Sequence, residues 1–218
     1  PAAADCGYER VVVTGTPAER ADACAALTDV IDYFRTMGFA ITPEVRVAFS
    51  LRVVIKLIDP TTGGSTADEE VSGYYDAHRR SIEVTSRTSA HGRTPLGIPW
   101  GPAISASIVR HELAHMATHG VLGVRYSRFA KEWLEYIASV VQFDLMEPPL
   151  RRRVLDNYPD ARPFASPEQV NPFVYGFAPE EFAVRSYLHA HANGGSAYIA
   201  RILEGNVDFD TGQNLWPR

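Results

Sequence analysis

The stretch 107–120, SIVRHELAHMATHG, decides how the rest of the chain is read. It sets His111 and His115 four residues apart, with Glu112 directly after the first. On an α-helix, residues at that spacing stand one turn apart on the same face. Both imidazoles can then aim a nitrogen at one ion, about 2.0–2.1 Å away for zinc. Glu112 is rotated by roughly 100° around the same axis, which suits a base beside the ion better than a ligand. A carboxylate so placed can take a proton from a metal-bound water whose pKa has been lowered to about 7. The competing reading is an amphipathic helix that happens to carry histidines. His-Glu-x-x-His arises by chance in a chain of this size and histidine content only about 1–2% of the time, which favours the metal.

His119 continues the spacing but drifts around the helix, and Gly120 follows it, so His119 is expected to face the last helical carbonyls. The longer three-histidine pattern fails, because Thr118 stands where a glycine belongs and Val121 where the third histidine belongs. A third ligand must therefore come from another element.

The next helix offers one. Pro102 predicts the start of the motif helix and Gly120 its stop. Ser127 then predicts the cap of a second long helix, RFAKEWLEYIASVVQFDLM, which must end before Pro148 and Pro149. Phe129, Trp133, Ile137 and Val140 form its apolar stripe; Arg128, Glu132, Glu135, Ser139 and Gln142 form the other face. Two helices joined by a short turn pack antiparallel, so Glu135 can reach the two histidines, with Glu132, one turn earlier, as the fallback ligand. Taken alone, either glutamate reads rather as part of a solvated face.

Upstream, Thr16, Pro17 and Glu19 carry a helix start, and Gly38 stops a helix with Leu27, Val30, Ile31, Phe34 and Met37 at helical spacing. EVRVAFSLRVVIKLI (44–58) predicts one or two strands, PTTGGSTADEE (60–70) a loop, and 71–76 with 81–86 a hairpin. A Gly/Pro-containing loop spans 87–101. Downstream, 148–178 reads as a Pro-rich aromatic connection, followed by a helix from Pro179 closed by Asn193-Gly194-Gly195 and a last short helix in SAYIARILEG. The expected fold is α+β: a small antiparallel or mixed sheet packed on the active helix, then a mainly helical C-terminal part. One domain of 218 residues is expected, with a helix-plus-sheet part over 1–101 and a helical part over 102–218.

Composition excludes several function classes. Net charge is −5 and the basic residues cluster only at Arg151, Arg152 and Arg153, so no nucleic-acid footprint is indicated. No apolar run approaches the roughly 18 residues that span a bilayer. The opening PAAADCGYER has no initiator methionine and is compatible with a processed N-terminus, hence a secreted or periplasmic protein. Cys6 and Cys24 are the only cysteines. In an oxidising compartment they can close a loop worth about 3 kcal/mol; otherwise they are two unrelated thiols, Cys24 a small buried hydrophobe. Two cysteines without neighbouring histidines exclude a Cys-rich zinc site.

With HELAH at 111–115 and EYIAS at 135–139, the sequence resembles the gluzincin metallopeptidases, the thermolysin- and aminopeptidase-like group that includes small single-domain members. The resemblance spans residues 70–145. It implies Zn2+ held by His111, His115 and Glu135, with Glu112 as general base and then acid. It further implies that SIEVTS (81–86) is an edge strand binding extended peptide, and that a tyrosine or histidine stabilises the oxyanion. Tyr175, Tyr187, His189 and His191 are the candidates for that role, Tyr175 being chosen. The chain departs from the pattern in three places: the gap to Glu135 is one residue longer than in the aminopeptidases, Leu134 replaces an asparagine, and Ser139 stands where thermolysin-like members carry an aspartate. No Gly-x-Met-Glu-Asn motif is present, which argues against a standard aminopeptidase. The expected activity is zinc-dependent hydrolysis of peptide bonds in a peptide or protein substrate. The alternative is a catalytically weak, zincin-like module that binds peptides or proteins.

Overall fold

The computed structural model describes residues 3–58, 65–89 and 94–207. Three parallel strands with alternating burial make the centre of the sheet. These are β2 (Val11–Thr14), β3 (Val45–Ser50) and β7 (Ser81–Thr85). Val11, Val13, Val45, Val47, Ile82 and Val84 all point inward, as the two-residue period of a half-buried strand requires. Two antiparallel strands finish the edges, β1 (Ala3–Ala4) beside β2 and β6 (Gly73–Asp76) beside β7. The order is β1-β2-β3-β7-β6. A separate hairpin pairs β4 (Val53–Ile58) with β5 (Ser65–Val71).

Between β2 and β3 runs α1 (Pro17–Thr36), a crossover helix whose Ala23, Leu27, Val30, Ile31 and Phe34 enter the core. Next to it lies α2 (Pro102–Leu122), which carries the His-Glu-x-x-His stretch. It packs against α1, α3 (Lys131–Asp144), β6 and β7, so it is buried on most of its circumference. That is why Ser105, Ser107, Glu112, His115 and Thr118 are polar yet buried. The helical remainder comprises α4 (Pro148–Asp156), α5 (Pro172–Phe177), α6 (Pro179–Ala192) and α7 (Ser196–Glu204). α6 packs on α3, and α5 packs on α3 and α6. One hydrophobic cluster draws on both halves of the chain, joining Val47 and Phe34 to Leu113, Tyr136 and Ile199. A second gathers Leu96, Ile104, Phe143 and Val154. The fold is α+β, as expected.

Several expectations change. β1 and β2 lie in stretches to which no element was assigned. Residues 65–70, read as loop, form most of β5, and residues 60–64 of that reading lie outside the described residues. The strand 81–86 is not an edge: β7 sits between β3 and β6, and β6 is the edge strand on that side. α2 runs past Gly120 and stops at Gly123, whose φ of 55° is the left-handed conformation glycine tolerates. Residues Gly123–Arg128 make a 3-10 turn, and Ala130, not Ser127, stands at the N-cap of α3. The Pro-rich connection 148–178 contains α4 and α5, each with proline at its first turn.

Cys6 and Cys24 are joined in a disulfide that ties the N-terminal strand region to α1. Among the described residues, no helix is long and apolar enough to cross a membrane.

Glu19 closes the start of α1. It completes the capping box with Thr16, whose N–H donates to Glu19 Oε2 at 2.8 Å. Its other oxygen accepts from Ser86 Oγ at 2.6 Å and from the Arg87 N–H at 3.1 Å, stitching the helix to the end of β7. Burial pushes the Glu19 pKa up, but the donors from Ser86, Thr16 and Arg87 outweigh it and hold the pKa below its ordinary value. A depressed folded pKa contributes stability that is present above the unfolded carboxylate range and is lost as pH falls through the folded value. Glu19→Gln is therefore expected to lower unfolding free energy by about 1.5–3 kcal/mol at pH 7. Denaturant titrations should show that deficit shrinking at acid pH; an equal deficit at pH 7 and pH 2 would assign it to shape alone.

Candidate metal centre

α2 and α3 lie side by side and bring three ligand-bearing side chains to one point. His111, His115 and Glu135 form a group whose ligand atoms lie within 4.8 Å of one another and which could hold a metal ion. The two Nε2 atoms are 3.2 Å apart. Glu135 Oε2 is 3.4 Å from His111 Nε2 and 3.7 Å from His115 Nε2. The group thus contains the three residues expected as ligands and not the fallback Glu132.

Electrostatics at this point favour positive charge. Burial pushes the Glu135 pKa up, but the His115 charge and the close approach of both imidazoles overcome it and hold Glu135 well below its ordinary range. Burial likewise pushes His111 down, yet its hydrogen bond to Glu135 and the charges of Glu112 and Glu135 leave it raised. The centre is two imidazoles and an ionised carboxylate, a donor set that suits a borderline metal ion.

Gln142 orients His111. Its Oε1 lies 3.1 Å from His111 Nδ1, and its Nε2 donates to Ser107 Oγ at 3.0 Å. With Oε1 as acceptor, His111 Nδ1 carries the proton and Nε2 turns its lone pair to the centre, the arrangement a ligating histidine needs. The orienting task that Ser139 left open in the sequence is thus carried by Gln142, seven residues after Glu135. Two helical turns along the polar face of α3 was the signal for it. Among the described residues, His115 Nδ1 has no hydrogen-bond partner, and neither does Thr118 Oγ1 on the same helix.

Glu112 is buried beside the centre and accepts a hydrogen bond from the Tyr75 N–H. Burial raises its pKa, and the nearby histidine charges and the Tyr75 N–H offset that only in part. β6 reaches it because residue 73 is glycine: a Cβ there would lie 2.7 Å from Ile108 Cγ2 and 2.8 Å from Glu112 Oε1. The Thr85 N–H donates to Ser72 O across the β6–β7 ladder. Alternation along an antiparallel strand then turns the main-chain groups of Gly73 and Tyr75 away from β7, towards the open edge.

These residues line a cleft of about 380 Å³. Tyr175, on α5, lines it and hydrogen-bonds to Glu135. Burial, then the Glu135 charge, raises its hydroxyl pKa well above the ordinary tyrosine value. Tyr126 also lines the cleft and was not anticipated. Its hydroxyl pKa is raised by burial and then by Tyr75, Glu135 and Glu112. Its only sequence signal is its place in the short connection between the two ligand-bearing helices. The other oxyanion candidates lie elsewhere. Tyr187 stacks on Phe143 with ring centroids 5.1 Å apart, His189 Nδ1 meets Tyr136 Oη at 2.7 Å, and His191 Nε2 meets Asp144 Oδ1 at 2.7 Å. His119 does not face the helical carbonyls. Its Nδ1 lies 2.7 Å from Tyr75 Oη and its ring packs on Tyr126 at 4.6 Å, because α2 continues a further turn.

The chain belongs to a family of unknown function, DUF6639, whose model matches residues 11–212. No curated protein and no solved structure matches it.

Proposed function

We propose that this member of the family is a zinc-dependent hydrolase of peptide bonds, with His111, His115 and Glu135 as metal ligands and Glu112 as general base. The observation that carries the reading is the spacing of the three donors. Ligands about 2.0–2.1 Å from a tetrahedral zinc are about 3.3 Å apart, and the three separations here are 3.2, 3.4 and 3.7 Å. When bound, zinc supplies a Lewis acid that lowers the pKa of water to about 7 and polarises a carbonyl. Around it, the chain's own groups divide the remaining work. Glu112, buried beside the centre with its pKa raised by that burial, is placed to take a proton and to pass it to the leaving amine. Tyr126 and Tyr175 keep their protons across that range and supply hydroxyl donors for a developing oxyanion. The outward main-chain groups of Gly73 suit pairing with an extended substrate, the role moved from 81–86 to β6. The disulfide supports a secreted or periplasmic setting.

The test is turnover. Chelator-stripped protein refilled with zinc, incubated with a diverse peptide library and read by mass spectrometry, is expected to cleave internal or terminal bonds only in the refilled state. No cleavage of any member at one zinc per chain rejects the hydrolase reading.

A further inference from the structure

Lys131 stands four residues before Glu135, one turn earlier on the cleft-lining face of α3. Opposite charges at that spacing ordinarily pair. Here Tyr175 comes between them: the Lys131 ammonium lies 5.3 Å from the centroid of its ring, while its hydroxyl bonds to Glu135. The carboxylates of the cleft are all committed. Glu112 accepts from the Tyr75 N–H, and Glu180 accepts from the Leu96 N–H at 3.0 Å and from Tyr158 Oη at 2.6 Å. Glu135 faces the two histidines. Among the described residues, Lys131 is the only lysine or arginine in the lining, and no described carboxylate forms an ion pair with it. Glu69, on β5, acts on the Tyr175 hydroxyl from beyond the lining.

We propose that Lys131 is a specificity residue which receives a substrate carboxylate, so that the cleft selects peptides bearing an acidic side chain or a free C-terminus near the bond to be cut. The ammonium sits one aromatic ring beyond the ligand carboxylate, a span an extended chain covers in about two residues. The inference rests on the peptide-hydrolase reading for its substrate, and binding separates the two. The probes are fluorescein-labelled octapeptides made in matched pairs, Glu against Gln at each position and C-terminal acid against amide. Their affinities are read by anisotropy on the zinc-loaded Glu112→Gln protein, which binds without consuming them.

Peptides with the carboxylate are expected to bind about tenfold more tightly than their neutral partners, as a charge-assisted hydrogen bond at a partly open site provides. The pair that shows the difference identifies a side chain or a C-terminus as the source. Adding Lys131→Met, which keeps the stem over Tyr175, should abolish the preference; adding Lys131→Glu should invert it. Equal affinities within every pair, or a preference that survives Lys131→Met, overturns the assignment. A Lys131-dependent preference with no cleavage by the wild-type chain upholds it and rejects the hydrolase. Cleavage without the preference does the reverse, and no binding of any peptide overturns the assignment while turnover alone decides the hydrolase.

Discussion

Glu112→Gln is expected to leave about one zinc per chain in place while lowering peptide turnover by roughly 10³-fold, within the range general-base catalysis supplies. The amide keeps the shape and can still accept the Tyr75 N–H through its oxygen, so the buried position beside Ile108 and Gly73 stays filled. What it loses is the lone pair basicity needed to take a proton. The effect should fall on kcat, because Glu112 acts on the proton in transit rather than on a substrate atom held in the ground state. Metal analysis and steady-state kinetics on one preparation read both halves. Unchanged turnover removes Glu112 from the mechanism, and loss of zinc reassigns it to the metal's support.

The second large effect is on the metal. Glu135→Ala should weaken zinc binding by more than the 10–100-fold that loss of an outer hydrogen-bonding partner costs. Two neutral imidazoles remain, without the one charge that binds the ion and offsets its burial. The internal standard is Gln142→Leu, which removes the acceptor on His111 Nδ1 and the donor to Ser107 but none of the three ligands, and should fall inside the 10–100-fold range. Competition with a zinc chelator measures both variants. If Glu135→Ala binds zinc as tightly as Gln142→Leu, the carboxylate is not a ligand.

The central cluster was legible because it is local. Four-residue spacing on a helix and a short connection to a second helix are properties of consecutive residues, so His111, His115 and Glu135 could be grouped before any fold was known. Non-local pairing was not legible. Val11–Thr14 is too short to signal a strand alone and becomes one by lying parallel to β3 across the α1 crossover. Ser65–Val71 carries Asp68, Glu69 and Glu70, a polar composition that reads as loop until β4 supplies its partner. The same limit misplaced the edge: the hairpin of β6 and β7 was read correctly, but only the parallel pairing of β7 with β3 decides which strand stays open. Tyr126 and Gln142 were not singled out as site residues for a related reason: the signals they carry gain meaning only from how closely α2 and α3 pack. His119 was misread because Gly120 does not end α2. One further turn carries that ring past the carbonyls to Tyr75.

The most direct test is zinc K-edge X-ray absorption on the full chain after chelator stripping and refilling to one equivalent. The expected spectrum has four nitrogen or oxygen neighbours at about 2.0–2.1 Å, an outer-shell signature of two imidazoles, and no sulfur, both cysteines being held in the disulfide. A chain that retains no zinc, or zinc surrounded by six oxygens without imidazole scattering, would contradict the assignment of His111, His115 and Glu135 as a metal centre.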